Sequence, residues 1–161
     1  MKWKIGVADT TFARINMFKS VEKAFKESEM EIEIVRYTVP GIKDLGVACK
    51  LLLTNNKCDI AMALGMPGSM SIDKQCSHEA TIGIQHAQLM TNKHILEVFV
   101  HLDEEDDPNE LIKLAHDRAY KHAQNALALL KGREILTPFA GKGLRQGKEH
   151  VGSLEDGNLG E

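Results

Sequence analysis

Residues 58–88, CDIAMALGMPGSMSIDKQCSHEATIGIQHAQ, decide the fold of this chain. The apolar run at 60–64 is too short for a helix and is typical of a strand that is buried on both faces. Residues 65–68, which we call the bend, are rich in glycine and proline and predict a turn that brings the backbone into the open. Ser71 and Asp73 are candidate caps for a helix that follows. A buried strand, a bend and a helix form half of a βαβ unit, and open α/β sheets bind ligands at such bends.

The composition is typical of one folded domain with its own core. Of the 161 residues, 43% are hydrophobic and 27% are charged. The formal net charge of -3 argues against a nucleic-acid partner, because phosphate binding depends on clustered Lys and Arg. No apolar run approaches the roughly 20 residues of a membrane span, and the N-terminus lacks the apolar region of a signal peptide. Three cysteines without metal-ligand spacing, Cys49, Cys58 and Cys76, predict reduced thiols in a cytoplasmic protein.

Strand-like and helix-like patterns alternate four times along the chain. Strands are predicted at residues 3–8, 31–39, 60–64 and 94–102, and a helix is predicted after each of them. Right-handed crossovers then give a four-stranded parallel sheet with helices on both faces, an α/β fold with three αβα layers of the flavodoxin-like type. This domain is predicted to span residues 1–132. Residues 133–161 are predicted to form a polar, glycine-rich tail that is mobile or fixed only by a partner chain.

The fourth predicted strand has two different faces. Leu96 and Val98 point one way, whereas Glu97, Phe99 and His101 point the other way. The second face is too polar for a domain core and too aromatic for plain solvent exposure. We therefore predict an edge strand whose outer side meets a ligand, a neighbouring subunit or both.

The four predicted strand ends lie along one rim of the sheet, because the strands are parallel. The rim segments are residues 9–12, 39–41, 65–68 and 101–104. Some of these residues have a plain structural interpretation as well. Asp9 and Thr11 are equally suited to cap a helix, and Pro40 and Gly41 are suited to a simple turn.

His101 and Asp103 are the first acid–base candidates. They share a predicted strand face with Phe99, so they are suited either to transfer a proton or to hold a divalent cation through oxygen ligands. His78 and Glu79, at the start of the third predicted helix, are the second candidates. The alternative is that Glu79 complements the helix dipole and that His78 is exposed. Motifs for dinucleotides, phosphate loops and nucleophile elbows are absent from the sequence.

Three segments resemble motifs of the lumazine synthase family in their order and spacing. They are VPGIKDLGVACKLL at 39–52, CDIAMALG with EATIGI between 58 and 84, and VFVHLDEED at 98–106. The resemblance covers about residues 3–130. It implies that Asp44 corresponds to the acid that binds the ribityl chain and that Phe99 corresponds to the phenylalanine of that family.

The segment between the bend and the third helix departs from that family. It is slightly shorter and lacks the basic residue and the histidine motif with which lumazine synthases hold a sugar phosphate and carry the catalytic histidine. Pro67 has no N–H to donate, and Asp73 places negative charge near the helix end that an anion would need. This combination resembles the archaeal riboflavin synthases, which are relatives of lumazine synthase.

That resemblance implies a transferase that dismutates its substrate. Two molecules of 6,7-dimethyl-8-ribityllumazine would exchange a four-carbon unit and give riboflavin and 5-amino-6-ribitylaminouracil. It also implies a cytoplasmic homopentamer with sites between subunits and no organic cofactor, while a requirement for a divalent cation such as Mg²⁺ stays open. The alternatives are a lumazine synthase and a non-catalytic protein that binds lumazine or flavin.

The predicted catalytic residues are, in order of preference, His101, Asp103, His78 and Glu79, and no metal ligands are assigned. The predicted substrate-binding residues are Thr11, Phe12, Arg14, Gly41, Ile42, Asp44, Gly65, Met66, Pro67, Gly68, Ser69 and Phe99.

Within this set, Phe12 or Phe99 is expected to stack on a ring. The backbone at 41–42 and the Asp44 carboxylate are expected to bind ribityl hydroxyls, and the segment 65–69 is expected to let a second ring approach the backbone. Arg14 either polarises a ring carbonyl or is an ordinary surface arginine.

Overall fold

Four parallel strands form one sheet in the order β2-β1-β3-β4 in the computed structural model, which describes residues 1–157. The strands are β1 (Lys2–Thr10), β2 (Glu31–Val39), β3 (Ile60–Gly65) and β4 (Ile95–Phe99). The helices that follow them are α1 (Phe18–Glu27), α2 (Leu45–Thr54), α3 (Ser71–Thr91) and α4 (Pro108–Lys131). The predicted parallel sheet and the repeated β-α order are therefore confirmed. The last part of the predicted tail, 158–161, lies outside the described residues.

The helices form two layers, one on each face of the sheet. In β3, Met62 and Leu64 belong to an apolar cluster that includes side chains of α1 and α4, whereas Ala61 and Ala63 belong to a cluster with α2 and α3. Every residue of β3 is buried, as the uninterrupted apolar run predicted. The predicted three-layer αβα arrangement is therefore confirmed. Within residues 1–157, no helix is long and apolar enough to cross a membrane.

The bend after β3 differs from the sequence prediction, because it is buried and does not turn into the open. The Val100 N–H donates to the Gly65 carbonyl at 3.0 Å. The Leu102 N–H donates to the Pro67 carbonyl at 3.1 Å, so the parallel pairing with β4 continues past both strand ends. No residue of the bend has a positive φ. Glycine is needed at position 65 because the Phe99 ring packs closely against the backbone there. A Cβ atom at this position would lie 2.7 Å from the ring.

Two predicted helix starts are also corrected. Met70 occupies the N-cap position of α3, and the Asp73 carboxylate accepts its N–H at 3.0 Å, so neither Ser71 nor Asp73 is the cap residue. Because α3 begins at Ser71, the candidates at 78 and 79 lie about two turns inside the helix rather than at its start.

The helix α1 begins only at Phe18, and its N-cap residue makes no side-chain capping bond. The predicted capping by Asp9 and Thr11 is therefore wrong. Residues 11–17 instead form a loop, and this loop carries Phe12 and Arg14 over the rim of the sheet.

The strand β4 lies at the edge of the sheet, as predicted, although it is shorter than the predicted strand. Its two faces do differ, but Glu97 and Phe99 on the second face are covered by elements of the same chain and do not point outward as predicted. Val98 packs in the cluster with α1 and α4, whereas Phe99 packs against the cluster with α2 and α3. Glu97 on the second face accepts a hydrogen bond from Thr81 of α3.

Candidate active site

A cavity of about 270 Å³ opens at the rim, beyond the carboxyl ends of the strands and on the side of α2 and α3. We call it the rim cavity. The residues that line it are Phe12, Gly41, Ile42, Lys43, Asp44, Pro67, Gly68, Asp73 and Cys76. Segments that follow three different strands therefore meet here, which is the position at which sheets of this kind bind ligands.

Phe12 is exposed to 63% and forms one wall of the rim cavity. Its N–H donates to the Pro40 carbonyl at 3.2 Å, and the N–H of the exposed Thr11 donates to the Val39 carbonyl at 2.9 Å. These two bonds fix the loop to the end of β2. An exposed phenyl ring held by its backbone is a suitable platform for stacking a flat heterocycle.

Asp44 also lines the rim cavity. Its carboxylate accepts the Gly41 N–H at 3.2 Å, and the Asp44 N–H donates to the Gly41 carbonyl at 3.0 Å. Both backbone groups of Gly41 are thus used inside this turn, which leaves the carboxylate as the acceptor that a ligand hydroxyl could share. No further hydrogen bond of this carboxylate occurs within residues 1–157.

Phe99 does not line the rim cavity but supports it. Its ring packs against Gly65, and the Ile42 side chain lies at the same place, 2.9 Å from a Cβ atom at Gly65. Ile42 in turn lines the cavity. Within one chain, Phe12 is therefore the candidate for stacking on a ligand.

Asp73 occupies the place next to the first turn of α3 at which an anion would bind. Its carboxylate accepts the Met70 N–H and lies directly against Gly68, where it would collide with any Cβ atom. Two basic residues nearby are paired as well. Lys43 lies 3.6 Å from Glu79, and Lys74 binds Asp103. The start of α3 therefore carries its own carboxylate in place of a bound phosphate.

His101 lies just beyond β4 with 26% of its side chain exposed. The backbone N–H of His101 donates to the Glu104 carboxylate at 2.8 Å. Burial lowers the pKa of His101 below its ordinary value, Lys74 and Arg118 lower it further, and Glu104 and Asp103 oppose them. The imidazole is thus neutral at pH 7, as a general base requires. His101 does not line the rim cavity of its own chain.

Asp103 is bound by Lys74, whose Nζ lies 2.8 and 2.9 Å from its two oxygens. This hydrogen-bonded ammonium lowers the pKa of Asp103 and makes its carboxylate a poor proton acceptor. It also occupies the oxygens that a cation would need. Within residues 1–157, no three His, Cys, Asp or Glu side chains come together as metal ligands. Within this chain, Asp103 is therefore not a free ligand for a cation.

His78 and Glu79 are exposed on α3 and do not line the rim cavity. Glu79 pairs with Lys43 across the gap between α3 and the turn before α2. The structure thus places the second pair of acid–base candidates outside the cavity of their own chain.

Arg14 and Met66 lie on the other face of the sheet. They line a second cavity of about 280 Å³ together with Leu102 and the start of α4. Arg14 makes no hydrogen bond or ion pair within the described residues. Ser69 is exposed between the bend and α3. These predicted substrate-binding residues are therefore not brought to the rim cavity.

An ion pair at the end of β1 was not predicted. The Asp9 carboxylate accepts hydrogen bonds from Arg36 Nη2 and from Thr38 Oγ1, both at 2.6 Å. The Arg36 guanidinium also lies 4.1 Å from the centre of the Phe18 ring. The parallel register, which places Asp9 beside Thr38, was the signal that could have found this contact.

A parallel sheet in the order β2-β1-β3-β4, helices on both faces and a cavity over the strand ends define an α/β protein with a small-molecule site at the rim. Residues 2–134 match the family model described as 6,7-dimethyl-8-ribityllumazine synthase. The chain belongs to this family.

Curated relatives cover nearly all of the chain. It is 55% identical over 151 residues to a riboflavin synthase from Methanothermobacter marburgensis, which covers 94% of this chain and 99% of that protein. It is 44% identical over 152 residues to a riboflavin synthase from Archaeoglobus fulgidus, with 94% of this chain and 98% of that protein covered. A solved GDP-L-fucose synthetase from Naegleria fowleri, at a TM-score of 0.39 and 17% identity over 85% of this chain and 45% of that chain, is too dissimilar to carry an argument.

Proposed function

We propose that this chain is a riboflavin synthase. It converts two molecules of 6,7-dimethyl-8-ribityllumazine into riboflavin and 5-amino-6-ribitylaminouracil. One molecule gives up a four-carbon unit and the other receives it. The two products contain all atoms of the two substrates, so the step needs neither an oxidant nor a reductant. The names of the archaeal relatives support this assignment.

The position of Asp73 is the observation that favours riboflavin synthase over lumazine synthase. A substrate with a phosphate group needs free N–H groups or a cation at the start of α3. Here the Asp73 carboxylate accepts the helix N–H and lies against Gly68, while Lys43 and Lys74 are paired with other carboxylates. A phosphate would be repelled, whereas lumazine carries no phosphate and fits this wall.

The rim cavity supplies the binding groups for one heterocycle. Phe12 stacks on the ring, and the Asp44 carboxylate accepts ribityl hydroxyls. Proton transfer from the 7-methyl group of one lumazine requires a base, which we assign to the neutral imidazole of His101. Holding two rings face to face supplies much of the rate, because it replaces a bimolecular encounter.

The second ring needs walls that one chain does not provide. The rim cavity has about 270 Å³, which is just below the roughly 300–1,000 Å³ that is usual for the site of a single ligand. His101 lies outside it, just beyond the edge strand β4. We therefore propose a homopentamer in which β4 of an adjacent subunit completes each site. Three free cysteines are consistent with an enzyme of the cytoplasm.

The decisive experiment supplies 6,7-dimethyl-8-ribityllumazine alone and measures riboflavin by absorbance and fluorescence. We expect riboflavin and the pyrimidine product in equal amounts. Formation of the lumazine from the pyrimidine and 3,4-dihydroxybutanone 4-phosphate would instead assign lumazine synthase activity. A bound chromophore in stoichiometric amount without turnover would indicate a carrier protein.

Cys76 provides a direct probe of the rim cavity. Burial raises the pKa of Cys49 to about 12 and that of Cys58 to about 11, and both thiols are fully enclosed. Cys76 lines the cavity and is partly accessible. At pH 8 we expect iodoacetamide to modify Cys76 first and a ribityllumazine analogue to slow that reaction.

Peptide mapping of the alkylated protein measures this effect, and Cys76→Ser serves as the unlabelled control. An equal rate of modification with and without the analogue would place the ligand elsewhere.

A requirement for a divalent cation is tested by treatment with EDTA. Loss of activity that Mg²⁺ restores would show that a cation site forms in the assembled enzyme, whereas an unchanged kcat would show that turnover needs no cation.

A further inference from the structure

The described part of the tail folds back on itself. The Val151 N–H donates to the Gly143 carbonyl at 3.0 Å, and the Arg145 N–H donates to His150 Nδ1 at 2.9 Å. These bonds join the two arms of a loop. Its apex, residues 146–148, is called the tail apex below. The loop depends on polar contacts, which explains why its apolar pattern is weak.

The tail apex closes over the side chain of Arg118 in α4. The Gln146 carbonyl accepts Arg118 Nε at 3.0 Å. Gly147 has a φ of +79°, and a Cβ atom there would lie 2.7 Å from Arg118 Cβ and 2.8 Å from Nε. Lys148 Nζ lies 3.7 Å from Glu104 Oε1. Only 11% of the Arg118 side chain remains exposed.

Arg118 in turn holds the turn that carries His101. Its Nη1 and Nη2 donate to the two oxygens of Glu104 at 2.7 and 2.9 Å. Its Nη1 also donates to the Phe99 carbonyl at 2.9 Å. The same Glu104 carboxylate accepts the His101 N–H at 2.8 Å. One guanidinium therefore fixes both ends of the segment 99–104.

The tail apex limits the access of water to the ion pair between Arg118 and Glu104. A bidentate pair between Arg and a carboxylate is stronger and more rigid where water has little access. The tail apex lies against Arg118, and only 11% of the Arg118 side chain and 16% of the Glu104 side chain remain exposed.

We propose that the tail apex is a positioning element of the reaction, which closes over Arg118 and thereby fixes the turn that bears His101. The expected effect on kcat rests on the proposed function. The effect of the tail apex on the surroundings of His101 can be measured without turnover. The charged groups that face His101 are Lys74 from α3, Asp103 and Glu104 from its own turn, and Arg118 from α4.

Gly147→Ala tests the proposal, and Gly141→Ala is its matched control. Both glycines have a φ of +79°, so both variants bear the same backbone strain. A Cβ atom at Gly147 collides with Arg118, whereas a Cβ atom at Gly141 meets nothing within 4 Å. We expect Gly147→Ala to lower kcat about tenfold with little change in KM, because a loosened turn misplaces the base. Gly141→Ala is expected to match the wild type.

The titration of His101 by NMR gives a readout independent of turnover, with its signal assigned by its loss in His101→Ala. In Gly147→Ala, the Arg118 guanidinium shifts and the turn loosens, so burial and the Arg118 charge lower the pKa of His101 less, and we expect this pKa to rise toward its ordinary value. The acid limb of kcat moves upward with it. Equal titration curves for the Gly147 and Gly141 variants overturn the proposal. If the wild type forms no riboflavin, the proposed function fails while this comparison still decides the role of the tail apex.

If Gly147→Ala does not fold by circular dichroism, Lys148→Glu decides in its place. A carboxylate at position 148 would be repelled by Glu104, which would push the tail apex away from the turn. Lys142→Glu, at an exposed position, is the charge-matched control. A fall in kcat in the first variant alone supports the proposal. Equal kcat values in both variants contradict it.

Discussion

Replacement of His101 with Ala is expected to lower kcat by about 10²-fold or more, whereas the affinity for the lumazine changes little. The imidazole is partly buried, burial lowers its pKa, and the backbone N–H of His101 is held by the Glu104 carboxylate. Single-turnover formation of riboflavin measures the chemical step. Equilibrium fluorescence titration of a ribityllumazine analogue measures binding separately.

The same residue determines the acid limb of the pH profile. Because burial lowers the pKa of His101 below 6.5, the imidazole stays deprotonated into mildly acidic solution. Activity is therefore expected to persist below pH 6.5 and to decline only as the pH falls through that lowered pKa. His86→Ala, which removes an exposed imidazole of α3, is the control. A large loss in His78→Ala with full activity in His101→Ala would reverse the assignment.

Gly65→Ala is expected to destabilise the fold by about 1–3 kcal/mol, because the added methyl group overpacks the rim. Its Cβ atom would lie 2.7 Å from the Phe99 ring and 2.9 Å from the Ile42 side chain. Since Ile42 lines the rim cavity, the shift needed to accommodate the methyl group also weakens substrate binding. Thermal melting is expected to show a Tm lower by roughly 5 °C, together with a raised KM.

Gly83→Ala is the matched control for Gly65→Ala. A Cβ atom at Gly83 meets nothing within 4 Å, and Ala is favoured over Gly inside a helix. This variant is expected to be as stable as the wild type or more so. An unchanged Tm in Gly65→Ala would show that Phe99 moves aside without cost.

The sequence was sufficient for the fold because its strongest signals are local. The apolar run of β3 and its neighbouring patterns predict buried parallel strands, and parallel strands bring their carboxyl ends to one rim. Phe12 and Pro67 were predicted as neighbours for this reason, and they do meet around the rim cavity. Asp44, which was assigned from the family resemblance, lines the same cavity. Their separation along the chain did not matter.

The sequence was insufficient where a residue type has two physical uses. Glycine permits both a tight turn and a close approach of the backbone to another group. At Gly65 it permits the close approach, because the ring of Phe99, which is distant in the chain, packs against it. Asp9 is a good helix cap by type, but Arg36 and Thr38 on the neighbouring strand bind its carboxylate. Arg118 gave no signal at all, because its partners lie in a turn and in the tail.

The continuous pairing beyond β3 and β4 also bears on how substrates enter. The carbonyls of Gly65 and Pro67 are each held by an N–H of the neighbouring segment, and neither residue has a left-handed backbone to act as a hinge. This side of the rim cavity is therefore held in place by the sheet before a ligand arrives. A ligand that reaches it loses its own freedom of motion but imposes little ordering on the protein, so the entropy cost of association falls mainly on the small molecule.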